Sequence, residues 1–177
     1  DLATNLSTSR MIDDLASGRG RSVLRTAVGE ANVVATMQAR GCAAGGEGNG
    51  GVILTDVDPG RDAAVGIALI LQALARSGRP LTELAGALPA YFIEKRKVSC
   101  TKDDLQRALD DLVRRYPEAL RHPVQDGVKL YMKGTMICPW IHLRPSNTEP
   151  IVRIIAESTR REKAVELCDV AERLLQG

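Results

Sequence analysis

Between two apolar stretches lies Arg144-Pro145-Ser146-Asn147-Thr148-Glu149-Pro150, with Arg153 just beyond. These are groups that can hold a phosphate. An arginine meets one through two parallel N–H bonds. Ser146 and Thr148 supply hydroxyl donors, and Asn147 tolerates a tight turn that aims backbone N–H groups inward. Arg153 stands within Ile151-Val152-Arg153-Ile154-Ile155, where strand alternation puts Ile151 and Ile155 on its face. A guanidinium on so apolar a face needs an anion, either Glu149 or a ligand phosphate. The competing reading is a structural Arg153–Glu149 pair beneath a hairpin-type loop. No Walker lysine follows a glycine loop, so a P-loop is excluded.

A second loop, Gly45-Gly46-Glu47-Gly48-Asn49-Gly50-Gly51, packs five glycines into seven residues. Its middle satisfies G-x-G-x-x-G, but that fingerprint needs a strand before it and a helix after it. Gly41-Cys42-Ala43-Ala44 makes a poor strand, and Val52-Ile53-Leu54 is β-like, so the dinucleotide reading fails. What remains is a flexible or tightly turned backbone that presents Glu47 and Asn49. A carboxylate accepts from vicinal hydroxyls and an amide both donates and accepts, which makes a plausible sugar-recognition pair. The competing reading is a structural turn with two solvated side chains.

The elements that must position these loops follow from periodicity. In the first half, Ser7-Thr8-Ser9 caps a short helix running to Ala16. Ser22 to Thr26 reads as a strand and Glu30 to Arg40 as a helix closed by Gly41. Val52 to Leu54 is a short strand. Asp62 to Ser77 is a helix apolar enough to be buried on most sides, and Thr82 to Leu88 adds a shorter one. This rhythm predicts an α/β domain, a mixed sheet covered by helices. Glu94-Lys95-Arg96-Lys97 lacks aromatic interleaving and reads as a solvated interdomain linker rather than a nucleic-acid patch. In the second half, Thr101-x-x-Asp104 resembles a capping box. Leu105, Leu109, Leu112 and Val113 then share one helix face. Strands are predicted at Val128–Met132, Met136–Leu143 and Ile151–Glu157. A last helix follows Thr159-x-x-Glu162, with a stripe of Ala164, Leu167, Cys168, Ala171, Leu174 and Leu175. Helix, strands, helix reads as a small α+β domain.

Bulk properties set limits on function. The net charge of +2 does not imply a polyanionic partner, although a small anion needs only a local cluster of donors. Cys42, Cys100, Cys138 and Cys168 form no C-x-x-C pair and accompany only two histidines, so neither a metal site nor a disulfide framework is expected. Free thiols fit a cytoplasmic location. The longest apolar run, Ala63 to Ala75, is too short to span a membrane. The start at Asp1, without an initiator Met and directly in a patterned segment, suggests a piece of a longer protein.

Together the two loops resemble the C-terminal half of the α-D-phosphohexomutases, which include phosphoglucosamine mutase, phosphomannomutase and phosphoglucomutase. Residues 144–150 match the family's phosphate loop, R-x-S-[GN]-T-E-P. Gly46-Glu47-Gly48-Asn49-Gly50-Gly51 sits where the family carries G-E-x-S-G-H, and Arg25-Thr26-Ala27-Val28-Gly29-Glu30 resembles its R-T-x-V-G-[DE]. Asn5–Ser9, Gly60-Arg61-Asp62 and Asp126-Gly127-Val128-Lys129 extend the likeness over nearly the whole chain. Asn49, Gly51 and Ala27 depart from the usual Ser, His and Lys, so the general base and the preferred hexose cannot be carried over.

The resemblance implies residues 1–97 as a sugar-binding third domain, truncated at its N-terminus. It implies residues 98–177 as a phosphate-binding fourth domain, of TATA-box-binding-protein-like shape. The implied activity interconverts hexose 1-phosphate and 6-phosphate through a phosphoserine, with a hexose 1,6-bisphosphate as intermediate and activator. Arg144, Ser146, Asn147, Thr148 and Arg153 would grip the phosphate that is not reacting, and Glu47 and Asn49 would hold the sugar. The fourth domain would close about a Glu94–Ser99 hinge. Neither the T-x-S-H-N serine segment nor the D-x-D-x-D-R loop that binds Mg²⁺ occurs in these residues. The implied partners are a phosphosugar and the missing N-terminal domains 1 and 2, with no nucleic acid and no membrane. The alternative is a stand-alone sugar-phosphate binding or regulatory module.

Overall fold

The computed structural model describes residues 1–123, 126–132, 139–146 and 149–176, the side chain of Lys102 aside. The predictions for Asn147 and Thr148, and for a strand beginning at Met136, fall wholly or partly outside the described residues. The chain divides into two compact units, Asp1–Ala90 and Tyr91–Gly177.

In the first unit, β1 (Leu2–Asn5), α1 (Met11–Ser17), β2 (Val23–Thr26) and α2 (Glu30–Arg40) precede β3 (Ala44–Glu47) and β4 (Gly51–Leu54). The sheet order is β2-β1-β3-β4. β1 runs parallel to β2 and β3, and β4 closes an antiparallel hairpin. Val33 and Met37 of α2 pack on Ala3 and Ile53 to form the core of this unit. Gly45 lets the helix come this close, because a Cβ there would stand 2.5 Å from Met37 Sδ, as well as 2.7 Å from the Ala3 carbonyl oxygen. The glycine cluster is therefore half strand rather than a wholly flexible loop. Its tightest turn is confined to Gly48-Asn49-Gly50, between β3 and β4. Composition hid β1 and β3, since both are short and rich in small residues.

Helix α3 (Ala63–Ser77) begins at Asp62, whose carboxylate accepts from Ala64 N and Val65 N. It is followed by α4 (Leu81–Gly86). The expected burial of α3 on most sides is not found: it holds no buried residue, and Ile67, Ile70 and Leu71 are exposed. Apolar composition favours burial only where a surface is available. Gly66 faces Val52 of β4 and Val65 and Leu74 are half-buried, while the other apolar positions of the helix are exposed.

The second unit contains β5 (Phe92–Ser99), α5 (Lys102–Arg115), β6 (Leu120–Arg121), β7 (Val128–Tyr131), β8 (Trp140–Pro145), β9 (Ile151–Ser158) and α6 (Arg161–Gln176). Its antiparallel sheet runs β5-β9-β8-β7-β6. Thr101 caps α5 as expected: its hydroxyl accepts from Asp104 N (3.1 Å) and donates to the Asp104 carboxylate (2.6 Å). Leu112 of α5 and Leu167, Cys168, Ala171 and Leu175 of α6 bury against Val98, Leu130, Ile141, Leu143, Val152 and Ile154, and Ala164 of α6 is buried as well. Val113 lies at the edge of the predicted stripe and is exposed.

Glu94 to Ser99 is neither linker nor hinge. All of it lies in β5, paired with β9 from Phe92↔Ser158 to Ser99↔Ile151. The unit boundary accordingly lies before Tyr91 rather than after Lys97. The charged run hid an alternating strand. Arg96 turns to the helical side, where it donates to Asp169 and Glu172 of α6 (2.7 Å each) and to Glu94 (3.2 Å). These three carboxylates hold its guanidinium proton more firmly than usual. Lys95 and Lys97 fall on the other face.

Candidate functional site

On each strand of the second sheet, the residues between the core positions face away from α5 and α6. Core Ile141 and Leu143 therefore put Trp140, His142 and Arg144 on the helix-free face. By the same alternation Lys129, Arg153 and Ile155 share that face.

Arg144 is the best-built of the predicted ligands. Its side chain is 7% exposed, and its Nε donates to Asp126 Oδ1 at 3.0 Å. That bond fixes the guanidinium plane, while the described residues offer its Nη atoms no further partner. Asp126 reaches this position because Gly127, at φ 70°, carries the chain directly over the backbone of Leu143 and Arg144. His142, two residues back along the strand, is fully buried, and its Nε2 donates to the Asp126 carbonyl at 2.6 Å. Desolvation is the main cause that lowers its pKa to about 4, and the charges of Lys129 and Arg144 reinforce it. Sequence reading missed Asp126 and His142 as site residues. The period of two counted back from Arg144 was the signal that would have found the histidine.

The described part of the loop fits a tight connection between β8 and β9: Ser146 N donates to Ile151 O (2.9 Å) and Ile151 N to Glu149 O (2.8 Å). Arg153 lies 3.4 Å from Glu149 Oε2, with both side chains more than a third exposed. The structural pair is thus present, but in water it is a weak hold on the guanidinium. The face around Arg153 is not largely apolar, as alternation within β9 alone implied. The neighbouring strands bring Lys97 and Arg144 beside it.

In the first unit, four separated segments meet near the C-terminal end of β1. Glu47 Oε1 accepts from Asn5 Nδ2 (2.7 Å) and Gly29 N (3.2 Å), and its Oε2 lies 3.6 Å from Arg61. Arg61 also pairs with Glu30 (2.6 Å), whose two oxygens take its Nε and backbone N–H. Arg25 braces the 5–9 segment from below, donating to the carbonyls of Asn5, Thr8 and Ser9 and pairing with Asp13. Thr8 Oγ1 accepts from Gly48 N (2.9 Å), which ties the hairpin tip to this segment. Glu47 therefore has a structural task that its expectation as a binding residue did not include. Asn49 is exposed, with its Oδ1 accepting from Gly51 N at 3.3 Å, so its amide NH₂ remains the more accessible donor.

A first prediction follows from this arrangement. Glu47→Ala leaves the Asn5 amide and the Gly29 N–H without their acceptor, at a cost of about 2 kcal/mol. Urea unfolding of the chain should show that loss, whereas Asn49→Ala should unfold within about 0.5 kcal/mol of wild type. Equal stability of Glu47→Ala and wild type would refute the bracing role.

The fold and site define a two-part α/β protein with a braced arginine at a hairpin mouth. Residues 1–92 match the family model "Phosphoglucomutase/phosphomannomutase, alpha/beta/alpha domain III", and residues 95–174 match that of the family's C-terminal domain. A phosphoglucomutase/phosphomannomutase of Thermococcus kodakarensis is 34% identical over 177 residues, covering 99% of this chain and 38% of the relative. A probable phosphoglucosamine mutase of Methanopyrus kandleri is 33% identical over 95% of this chain and 36% of its own length. Among solved structures, a phosphoglucomutase/phosphomannomutase family protein of Burkholderia thailandensis superposes with a TM-score of 0.77 at 22% identity. That superposition covers 99% of this chain and 37% of the solved one. The chain belongs to the phosphoglucomutase/phosphomannomutase family, and its two units correspond to domains III and IV. It spans less than two fifths of the length of these relatives.

Proposed function

We propose that this chain is the substrate-holding part of a phosphohexomutase that interconverts hexose 1-phosphate and 6-phosphate by way of a phosphoserine and a bisphosphate. The second unit grips the phosphate that is not reacting, through Arg144, Arg153 and the 146–148 loop. The first unit meets the sugar hydroxyls through Glu47 and Asn49. A substrate that must react at either end needs one grip that accepts whichever phosphate is idle. Such positioning is worth orders of magnitude in phosphoryl transfer. The serine and the Mg²⁺ that the chemistry requires belong to domains 1 and 2 of the whole enzyme, so this chain by itself binds without turnover.

The observation that carries this reading is the Arg144 guanidinium, buried and held in plane by Asp126. Calorimetric titration of inorganic phosphate and glucose 1-phosphate into the 177-residue chain tests it. Wild type should bind both weakly, and Arg144→Ala should weaken binding by roughly tenfold to a hundredfold, enough to place it beyond detection. Equal binding by the two proteins would refute the grip. Turnover of glucose 1-phosphate or glucosamine 6-phosphate by the isolated chain would refute the division of labour.

A further inference from the structure

Strand register places three cations in one row across the helix-free face. Arg144 on β8 is paired with Arg153 on β9, and Arg153 with Lys97 on β5. Directly opposed residues on adjacent antiparallel strands bring their Cβ atoms to about 5 Å, where like charges repel. Such a row destabilises the unliganded sheet unless anions are supplied.

The described carboxylates near it are few. Asp126 is committed to Arg144, and Glu149 meets Arg153 at 3.4 Å from an exposed position. Glu157, further along the face, takes the indole N–H of Trp140 at 2.8 Å. Glu94 falls on the helical side with Arg96. Lys97 is exposed, and the described residues give it no acidic partner. Its sequence neighbour Arg96, one step along the same strand, has three. The contrast within β5 separates a cation used for folding from one left for something else.

We propose that Lys97 is a further phosphate-binding residue, completing with Arg153 and Arg144 a three-strand cationic row that receives the phosphate of a sugar phosphate. This rests on the phosphate grip proposed above and adds a residue from a different strand, remote in sequence from the loop. The row gives the anion a donor on either side of Arg153. It also explains why β5 carries a lysine where pairing energy alone would favour a neutral or acidic residue.

The test titrates glucose 1-phosphate and inorganic phosphate into wild type, Lys97→Gln, Lys97→Arg, Lys95→Gln and Arg144→Ala forms of the full chain. Lys97→Gln should bind glucose 1-phosphate about threefold to tenfold more weakly and lose part of the salt dependence, with Lys97→Arg restoring both. Lys95→Gln, on the same face but in the next row, should change affinity less than about twofold. Unfolding of unliganded Lys97→Gln should occur at the same urea concentration as wild type or higher, because a repulsion has been removed. Wild-type affinity in Lys97→Gln alongside lost affinity in Arg144→Ala would overturn this inference and leave the grip standing. Absence of binding in the wild-type chain would overturn the grip, and this inference with it.

Discussion

Replacing Gly127 by alanine should cost the second unit about 4 kcal/mol, near the upper end of single-substitution effects. Two independent causes add. Gly127 sits at φ 70°, a left-handed conformation that costs an L-residue roughly 1–2 kcal/mol. A Cβ there would also press into the Leu143 carbonyl oxygen and stand 2.8 Å from the Arg144 Cα. Both obstacles are backbone in the middle of a paired strand, so neither can swing aside as a side-chain end would. Relief requires lifting the 126–127 segment off β8, which pulls Asp126 from Arg144 and strains the Val128↔Leu143 pairing. The urea midpoint should fall by about 2 M for a slope of about 2 kcal/mol per M. Phosphate affinity should fall along with it even in the fraction that stays folded. Gly86→Ala is the control: a Cβ there meets nothing within 4 Å, and alanine in a helix should raise stability by a few tenths to 1 kcal/mol. A Gly127→Ala protein within about 1 kcal/mol of wild type would mean that the brace on Arg144 is built differently.

How much of this was legible in the sequence depends on the range of the forces involved. Helices α2, α3, α5 and α6 announce themselves through local periodicity and caps, and Asp62 and Thr101 cap as their side chains require. Arg144 and Ser146 stood out as candidate phosphate ligands because what a phosphate needs is written in residue types. The Arg144–Asp126 brace was not, since it joins residues 18 apart whose meeting depends on one glycine conformation. Strand β5 was hidden for a different reason. Its outward residues are charged on both faces, because one face meets the acidic side of α6 and the other carries the cationic row. Alternation of charge with charge gives no hydrophobic signal, and the segment reads as linker. Glu47 shows the limit on role rather than position. The sequence shows a carboxylate able to bind hydroxyls, while the structure shows that same carboxylate already joining Asn5, Gly29 and Arg61. The two roles are compatible only if substrate takes the Oε2 side, where the Arg61 contact is the longest of the three.

Acid should weaken the second unit through one histidine. The neutral His142 ring donates from Nε2 to the Asp126 carbonyl, and burial together with the nearby Lys129 and Arg144 lowers its pKa from 6.5 to about 4. In the unfolded chain the ring is hydrated and takes a proton near its ordinary value. The unfolded state therefore binds more protons than the native state between about pH 6.5 and pH 4, and stability must fall as pH falls through that window. Above about 6.5 both forms are neutral and the loss is absent. Below about 4 both are protonated and it stops growing. The full gap corresponds to about 3 kcal/mol. Carboxylates also titrate at the acid end of this window, so the measurement is a difference between two proteins. His142→Gln keeps a donor for the Asp126 carbonyl and cannot charge. Urea unfolding at several pH values should give a wild-type stability that drops relative to His142→Gln as pH falls from about 6.5 to 4, with parallel curves above neutrality. Curves that stay parallel throughout would show that His142 is as well solvated when protonated in the fold as outside it. The consequence for binding follows from the same geometry. His142 shares the Asp126 segment with Arg144, so acid that destabilises the ring also loosens the brace. Phosphate affinity should then decline over the same window in wild type and much less in His142→Gln. A decline of equal size in both proteins would trace instead to protonation of the phosphate, and would separate the ring from the grip.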